Sequence, residues 1–179
     1  MQIADLRDQP EAVLQQAAML LVEEFDYSWP TPESARDEVA SVLHGGFAFA
    51  MLGADLIGWV GGLPEYAGRV WELHPMVVRR DHRRRGVGRQ LAAAFEREAR
   101  RRGGLTATLG ADDDATMTSL AGVNLYDNVG GHISTIRDLG RHHPFLFYRK
   151  LGYVVTGVVP DANGPGKPDI LMAKRLLEF

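Results

Sequence analysis

Cysteine is absent from this 179-residue chain. That excludes disulfides, a thiolate nucleophile and any cysteine-based metal site, and no metal is expected. Lysine is scarce: only Lys150, Lys167 and Lys174 occur, and the other basic residues are arginine. Neither charge sign dominates, with a formal net charge of −3, so composition gives no argument for nucleic acid or a membrane surface as partner. No apolar run approaches the roughly 20 residues of a membrane span. The start, Met1-Gln2-Ile3-Ala4-Asp5, lacks a basic region followed by a hydrophobic one. No secretory signal is expected, and a cytoplasmic location is. With 45% hydrophobic residues, the expectation is one globular domain over residues 1–179.

Hydrophobic periodicity supplies the elements. A short strand is expected at Ile3–Leu6, then a helix from Pro10 to Phe25 and a second from Ser34 to Leu43. Phe47–Leu52 and Leu56–Leu63 read as a hairpin, and Trp71–Val78 as the next strand. Val87, Leu91, Phe95 and Ala99 recur every fourth residue, predicting a helix over 86–102 closed by Gly103-Gly104. A strand over Leu105–Leu109 follows. Helices are expected around Leu120–Asp127, Ile133–Leu139 and Phe145–Leu151, and strands at Tyr153–Val159 and Asp169–Lys174. This order predicts an α+β fold, a sheet with helices on both sides.

The richest stretch runs from Val70 to Leu91. Alternation on the strand places Glu72 and His74 on one face, about 6.5–7 Å apart, with Trp71, Leu73 and Val77 opposite. Pro75 cannot donate to the ladder, which predicts a bulge or splay. Arg83, Gly86 and Gly88 then form an R-x-x-G-x-G loop opening a helix. Free amides at a helix N-terminus bind a pyrophosphate, and glycines let the backbone approach it. Arg83, Arg84 and Arg85 add positive charge there. The dinucleotide fingerprint and the Walker A lysine are both missing.

The loop resembles the acetyl-coenzyme A loop of the GNAT N-acetyltransferase superfamily. Acetyl transfer to an amine needs a proton acceptor and a donor toward the oxyanion, and it benefits from a donor near the leaving thiolate. From pattern alone, Glu72 and His74 read either as base and support or as a solvated polar pair. Tyr148 reads either as the thiolate's acid or as a core tyrosine. Asp112-Asp113-Asp114 reads as a cation-binding cluster or a solvated turn, and Trp29 and Tyr66 as sugar-stacking or packing aromatics. His142-His143 reads as loop or cap.

A longer set of strings narrows the resemblance: Trp71-Glu72-Leu73-His74-Pro75, Leu109-Gly110 with Asp112-Asp113, Phe147-Tyr148, Lys150-Leu151-Gly152-Tyr153, Pro160-Asp161-Ala162-Asn163-Gly164 and Lys167-Pro168-Asp169-Ile170. Together they resemble the aminoglycoside 6′-N-acetyltransferases. The resemblance implies a GNAT fold with a central mixed, mostly antiparallel sheet. It implies direct acetyl transfer from acetyl-coenzyme A to a 6′-amine, and a homodimer. Glu72, His74, Tyr148 and the Met76 amide would carry the chemistry. Met76, Val77, Val78, Arg83, Arg84, Arg85, Gly86, Val87, Gly88, Arg89 and Tyr148 would meet the cofactor. Trp29, Tyr66, Glu72, Asp112 and Asp113 would meet the substrate. Residues 115–135 match poorly, and a GNAT acting on a protein, peptide or polyamine amine stays an alternative. So does a coenzyme A-binding module without turnover.

Overall fold

The computed structural model describes residues 1–25 and 27–177. The chain groups into two compact units, one of Met1–Ala107 with the C-terminal residues from Leu176, the other of Thr108–Arg175. In the first unit β1 (Gln2–Asp5), β2 (Phe47–Leu52), β3 (Leu56–Glu65) and β4 (Val70–Val78) lie side by side in that order, all antiparallel. The helices are α1 (Glu11–Glu24), α2 (Pro32–Gly45) and α3 (Val87–Arg101). The second unit holds most of β5 (Thr106–Asp112), then α4 (Val129–Ser134), α5 (Phe145–Lys150), β6 (Val154–Val159) and β7 (Asp169–Arg175), with strand order β5-β7-β6. Among the described residues, no helix is long and apolar enough to cross a membrane.

Local chemistry explains the helix boundaries. α2 begins ahead of the expected Ser34 because Thr31 caps it. The Thr31 side chain accepts from the Ser34 amide at 3.1 Å, while Ser34 Oγ accepts from the Thr31 amide at 3.2 Å. Pro32 sits in the first turn, where no amide partner is needed. α3 buries Val87, Leu91, Phe95 and Ala99 as its four-residue spacing requires. It ends where Gly103 takes φ +86. Its last-turn arginines do more than face the helix dipole: Arg101 and Arg102 converge on Glu98, holding that carboxyl down to about 2.

α1 and α2 close one core of the first unit over Ala48, Ala50, Trp59 and Val77. The Trp59 indole donates to the Ala17 carbonyl at 3.1 Å, tying β3 to α1. A second aromatic group joins Phe47, Trp71 and Phe95 of α3, with centroids 5.1 and 5.7 Å from Phe47. Arg102 lies 5.0 Å over the Phe47 ring.

β4 changes face partway along. Val60 pairs with Met76 but Gly62 pairs with Leu73, so Gly61 alone opposes His74 and Pro75. That extra residue is the expected bulge, and it inverts the alternation beyond it. Before it, Trp71 faces the α3 aromatics. After it, Val77 joins the α1/α2 core, the side that Glu72 and His74 also face. The strict alternation that set Val77 opposite Glu72 and His74 is therefore corrected.

The helix expected at Leu120–Asp127 is absent, and the one expected near Ile133–Leu139 lies earlier, at Val129–Ser134. Turns run from 114 to 128, and only Val129–Ser134 is helical. Polar side chains there bind backbone locally and outcompete the helix. Asp113 accepts from the Met117 and Thr118 amides at 2.6 and 2.8 Å, Asn124 Oδ1 accepts from the Tyr126 amide at 3.2 Å, and Thr118 bridges Asp138.

A methyl group at position 61 would lie 2.3 Å from the His74 carbonyl oxygen and 2.6 Å from Val42 Cγ1. We expect Gly61→Ala to lower unfolding free energy by about 1–3 kcal/mol through overpacking. Urea denaturation measures this, and an unchanged midpoint would show that the bulge tolerates a side chain.

Candidate active site

In the first unit, β4 presents Glu72 and His74 half-buried on the α1/α2 side. α2 brings Glu38 to His74, with Oε1 3.3 Å from Nε2. The Trp29 ring centroid lies 5.9 Å from that of His74, and Trp29 also helps hold the Glu38 carboxylate ionised. The His74 hydrogen bond, its charge and Trp29 together hold the Glu38 carboxyl below its usual range, against burial. Glu72 goes the other way. Burial pushes its pKa up, the charge of His74 partly opposes this, and the Glu65 and Glu38 carboxylates add to the rise. Two nearby carboxylates are thus driven apart, one kept ionised and one made a better proton acceptor.

Trp29, expected in an open loop, is partly buried against the α1/α2 core and edge-on to Phe25 at 5.7 Å. Tyr66 is 76% exposed at the turn between β3 and β4, with φ +47.

The segment after β4 differs from its sequence reading in one respect. Arg83 was expected on phosphate. Instead its Nε donates to the Val78 carbonyl at 3.0 Å, and its guanidinium joins that of Arg80 on Glu24. The Glu24 side chain is only 6% exposed. A buried carboxylate needs opposite charge, and two arginines of the loop supply it. Arg84, Arg85 and Arg89 remain exposed around the helix entry. Gly86 takes φ +82 at the N-cap, with no side-chain cap, and no acidic residue stands in the first turn of α3. The first amides of a 15-residue helix thus face out without an anionic side chain of their own. That donor set fits a pyrophosphate. Val77 and Val87 could offer a ligand only their backbone, since both side chains are buried in the core.

The second unit holds Asp112, Asp113 and Tyr148. Asp113 is fully buried. Its oxygens accept from Met117 N, Thr118 N and Thr118 Oγ1, so it organises the turn and is unavailable to substrate. This corrects its expected role. Asp112 is exposed, and its Oδ1 accepts from Asn163 Nδ2 at 2.6 Å. His143 is a buried cap: Nε2 donates to the Asp112 carbonyl at 3.0 Å while Nδ1 accepts from the Phe145 amide at 3.1 Å. Tyr148 on α5 packs edge-on to Tyr153 at 5.7 Å. Burial pushes its phenol well above the ordinary range. Burial thus disfavours loss of its proton and suits the hydroxyl to donating a hydrogen bond. Among the described residues, no cluster of three or more His, Asp or Glu could hold a metal.

Glu24 and Glu38 carry no sequence motif, and tertiary packing alone reveals them. We expect Glu24→Gln to lower stability by about 1 kcal/mol and to speed tryptic cleavage at Arg83–Arg85. Mass spectrometry of timed digests checks this; unchanged cleavage would show that Glu24 does not restrain the loop.

Comparison with known proteins agrees with this fold. The model of the acetyltransferase (GNAT) family matches residues 14–130. A crystal structure of an aminoglycoside 6′-N-acetyltransferase complexed with coenzyme A is 35% identical, covering 100% of this chain and 99% of that one, with TM-score 0.94. The aminoglycoside 6′-N-acetyltransferase from Enterococcus faecium is also 35% identical over the same shares, with TM-score 0.92. Aminoglycoside 6′-acetyltransferase type Ii is 31% identical, again covering 100% and 99%, at TM-score 0.78. No protein of curated function matches the sequence. With its seven strands, its α+β fold and its full-length similarity to these enzymes, the chain belongs to the GNAT acetyltransferase family, as an acyltransferase whose co-substrate is acetyl-coenzyme A.

Proposed function

We propose that this protein transfers the acetyl group of acetyl-coenzyme A to the 6′-amine of aminoglycosides, directly and without an acetyl-enzyme. The observation that carries the reading is the β4 bulge. Glu72 precedes it, His74 is one of its two residues, and the Met76 backbone follows it, leading to the capless N-terminus of α3. Similarity over the full chain to enzymes of that name supports the substrate class.

Acetyl-coenzyme A supplies an activated thioester. Glu72 removes the ammonium proton, directly or through water, and His74 supports it. The Met76 amide, first after the bulge pair, donates to the carbonyl oxygen as charge develops there. Met76 and Val78 offer strand backbone to the pantetheine amides. The first amides of α3, with Arg84, Arg85 and Arg89, hold the diphosphate, and Gly86 and Gly88 permit its approach. Tyr66, exposed in the first unit, meets the polycationic sugar. In the second unit, Tyr148 is a hydrogen-bond donor that keeps its proton and Asp112 an exposed carboxylate suited to an ammonium group. The exposed Val154, Val159 and Leu171 of the second unit support association into a homodimer. The reading puts the enzyme in the cytoplasm with its acyl donor.

A thiol-release assay tests this with paired aminoglycosides. Release is expected with a 6′-amine and none with its 6′-hydroxyl analogue; silence with both, or faster release with spermidine, would overturn the reading. Glu72→Gln should lower kcat by about 10²-fold or more and leave coenzyme A affinity within about twofold. The base must be ionised, and its pKa is raised, so kcat/KM should fall as pH drops through a value above the ordinary 4.5. Glu72→Gln should remove that acid limb. A limb that persists in the variant would assign it elsewhere.

A further inference from the structure

We infer that Glu38 of α2 is a positioning residue for the reaction: its carboxylate accepts the Nε2 hydrogen of His74, whose ring lies against Trp29, and so fixes the tautomer and tilt of the imidazole beside Glu72. The inference rests on the preceding reading of β4 as the reaction strand.

The argument begins with donor chemistry. A carboxylate held below its usual pKa offers lone pairs only. The nitrogen 3.3 Å from Glu38 Oε1 must then carry the hydrogen. Which ring nitrogen is protonated is set by the partner of the other or by a carboxylate on one of them. Glu38 is such a carboxylate. Trp29 packs on the ring, its centroid 5.9 Å from that of His74, and helps hold Glu38 ionised. The Glu38 side chain is 22% exposed and that of His74 38%, so water competes only in part.

The support for Glu38 is rigid. α2 is locked at its start by the Thr31–Ser34 capping box. Ala35, Val39 and Val42 bury its inner face around Glu38. Val42 also packs over Gly61, the residue opposite the bulge. The helix that fixes where β4 bends is therefore the helix that aims His74. With Nε2 committed to Glu38, His74 does not abstract a proton through that atom, and the base role falls to Glu72. His74 is left as an oriented neighbour of Glu72.

Two measurements test this, and they fail independently. The first reads the wild-type ring directly by long-range ¹H–¹⁵N correlation, with His74 identified among the six histidines through His74→Gln. A hydrogen on Nε2 is expected, with a changed ring signal in Glu38→Gln. A neutral ring protonated only on Nδ1 would overturn the proposal whatever the enzyme's substrate. The second is kinetic. Glu38→Gln should lower kcat on a 6′-amino aminoglycoside by about tenfold, leave the KM for acetyl-coenzyme A within about twofold, and add nothing to His74→Gln in the double variant. Losses that multiply in the double variant, or full kcat in Glu38→Gln, would show that Glu38 does not act through His74. Should Glu38→Gln melt below assay temperature, Glu38→Asp reads the same effect by shortening the arm and keeping the charge. A wild type that acetylates no amine refutes the reading of the site and with it any reaction role for Glu38; an active wild type indifferent to Glu38→Gln refutes the Glu38 proposal alone.

Discussion

The one-residue bulge of β4 against Gly61 is the constraint on which the rest of the site depends. A strand with unbroken alternation would keep Glu72, His74, Met76 and Val78 on a single face. The bulge divides that set, leaving two ionisable side chains toward α1 and α2 and turning the following residues over. It is sustained by close packing, because the His74 carbonyl and Val42 occupy the space a β-carbon at position 61 would need. Glycine is required here by proximity rather than by an unusual backbone angle.

Electrostatics then sorts the ionisable groups by their neighbours. Glu38, Glu65 and Glu72 would be equivalent carboxylates in water. The placement of a single histidine keeps Glu38 ionised against burial, while burial raises Glu72 against that histidine's charge. The same logic acts in the cofactor loop. A run of arginines looks like uniform positive charge, yet Arg80 and Arg83 neutralise the buried Glu24 and anchor the loop to the end of α1. Arg84, Arg85 and Arg89 lie exposed around the helix entry. An anion would therefore meet a loop already held in place, which lowers the ordering cost of binding.

In the second unit the aspartates after β5 illustrate a division that adjacent residues often show. Asp112 and Asp113 leave the strand in opposite directions, so one is solvated and the other turns inward to satisfy three donors of the chain. That inward carboxylate replaces a helix with a turn across residues 114–128. It accounts for the segment where periodicity misleads.

The sequence by itself determined the elements whose signals are local: the hairpin of β2 and β3, the four-residue spacing and glycine stop of α3, the proline that breaks the β4 ladder, and the glycine entry to a helix that suits a diphosphate. Each follows from side-chain period or backbone geometry within a few residues. Tertiary structure alone decided that Val77 faces with His74, that Arg83 turns to Glu24, that Asp113 is buried, that burial raises the Tyr148 phenol, and that Glu38 meets His74. Those outcomes join residues far apart in the chain, or depend on desolvation. Neither distance across a fold nor loss of water is written in the order of the amino acids.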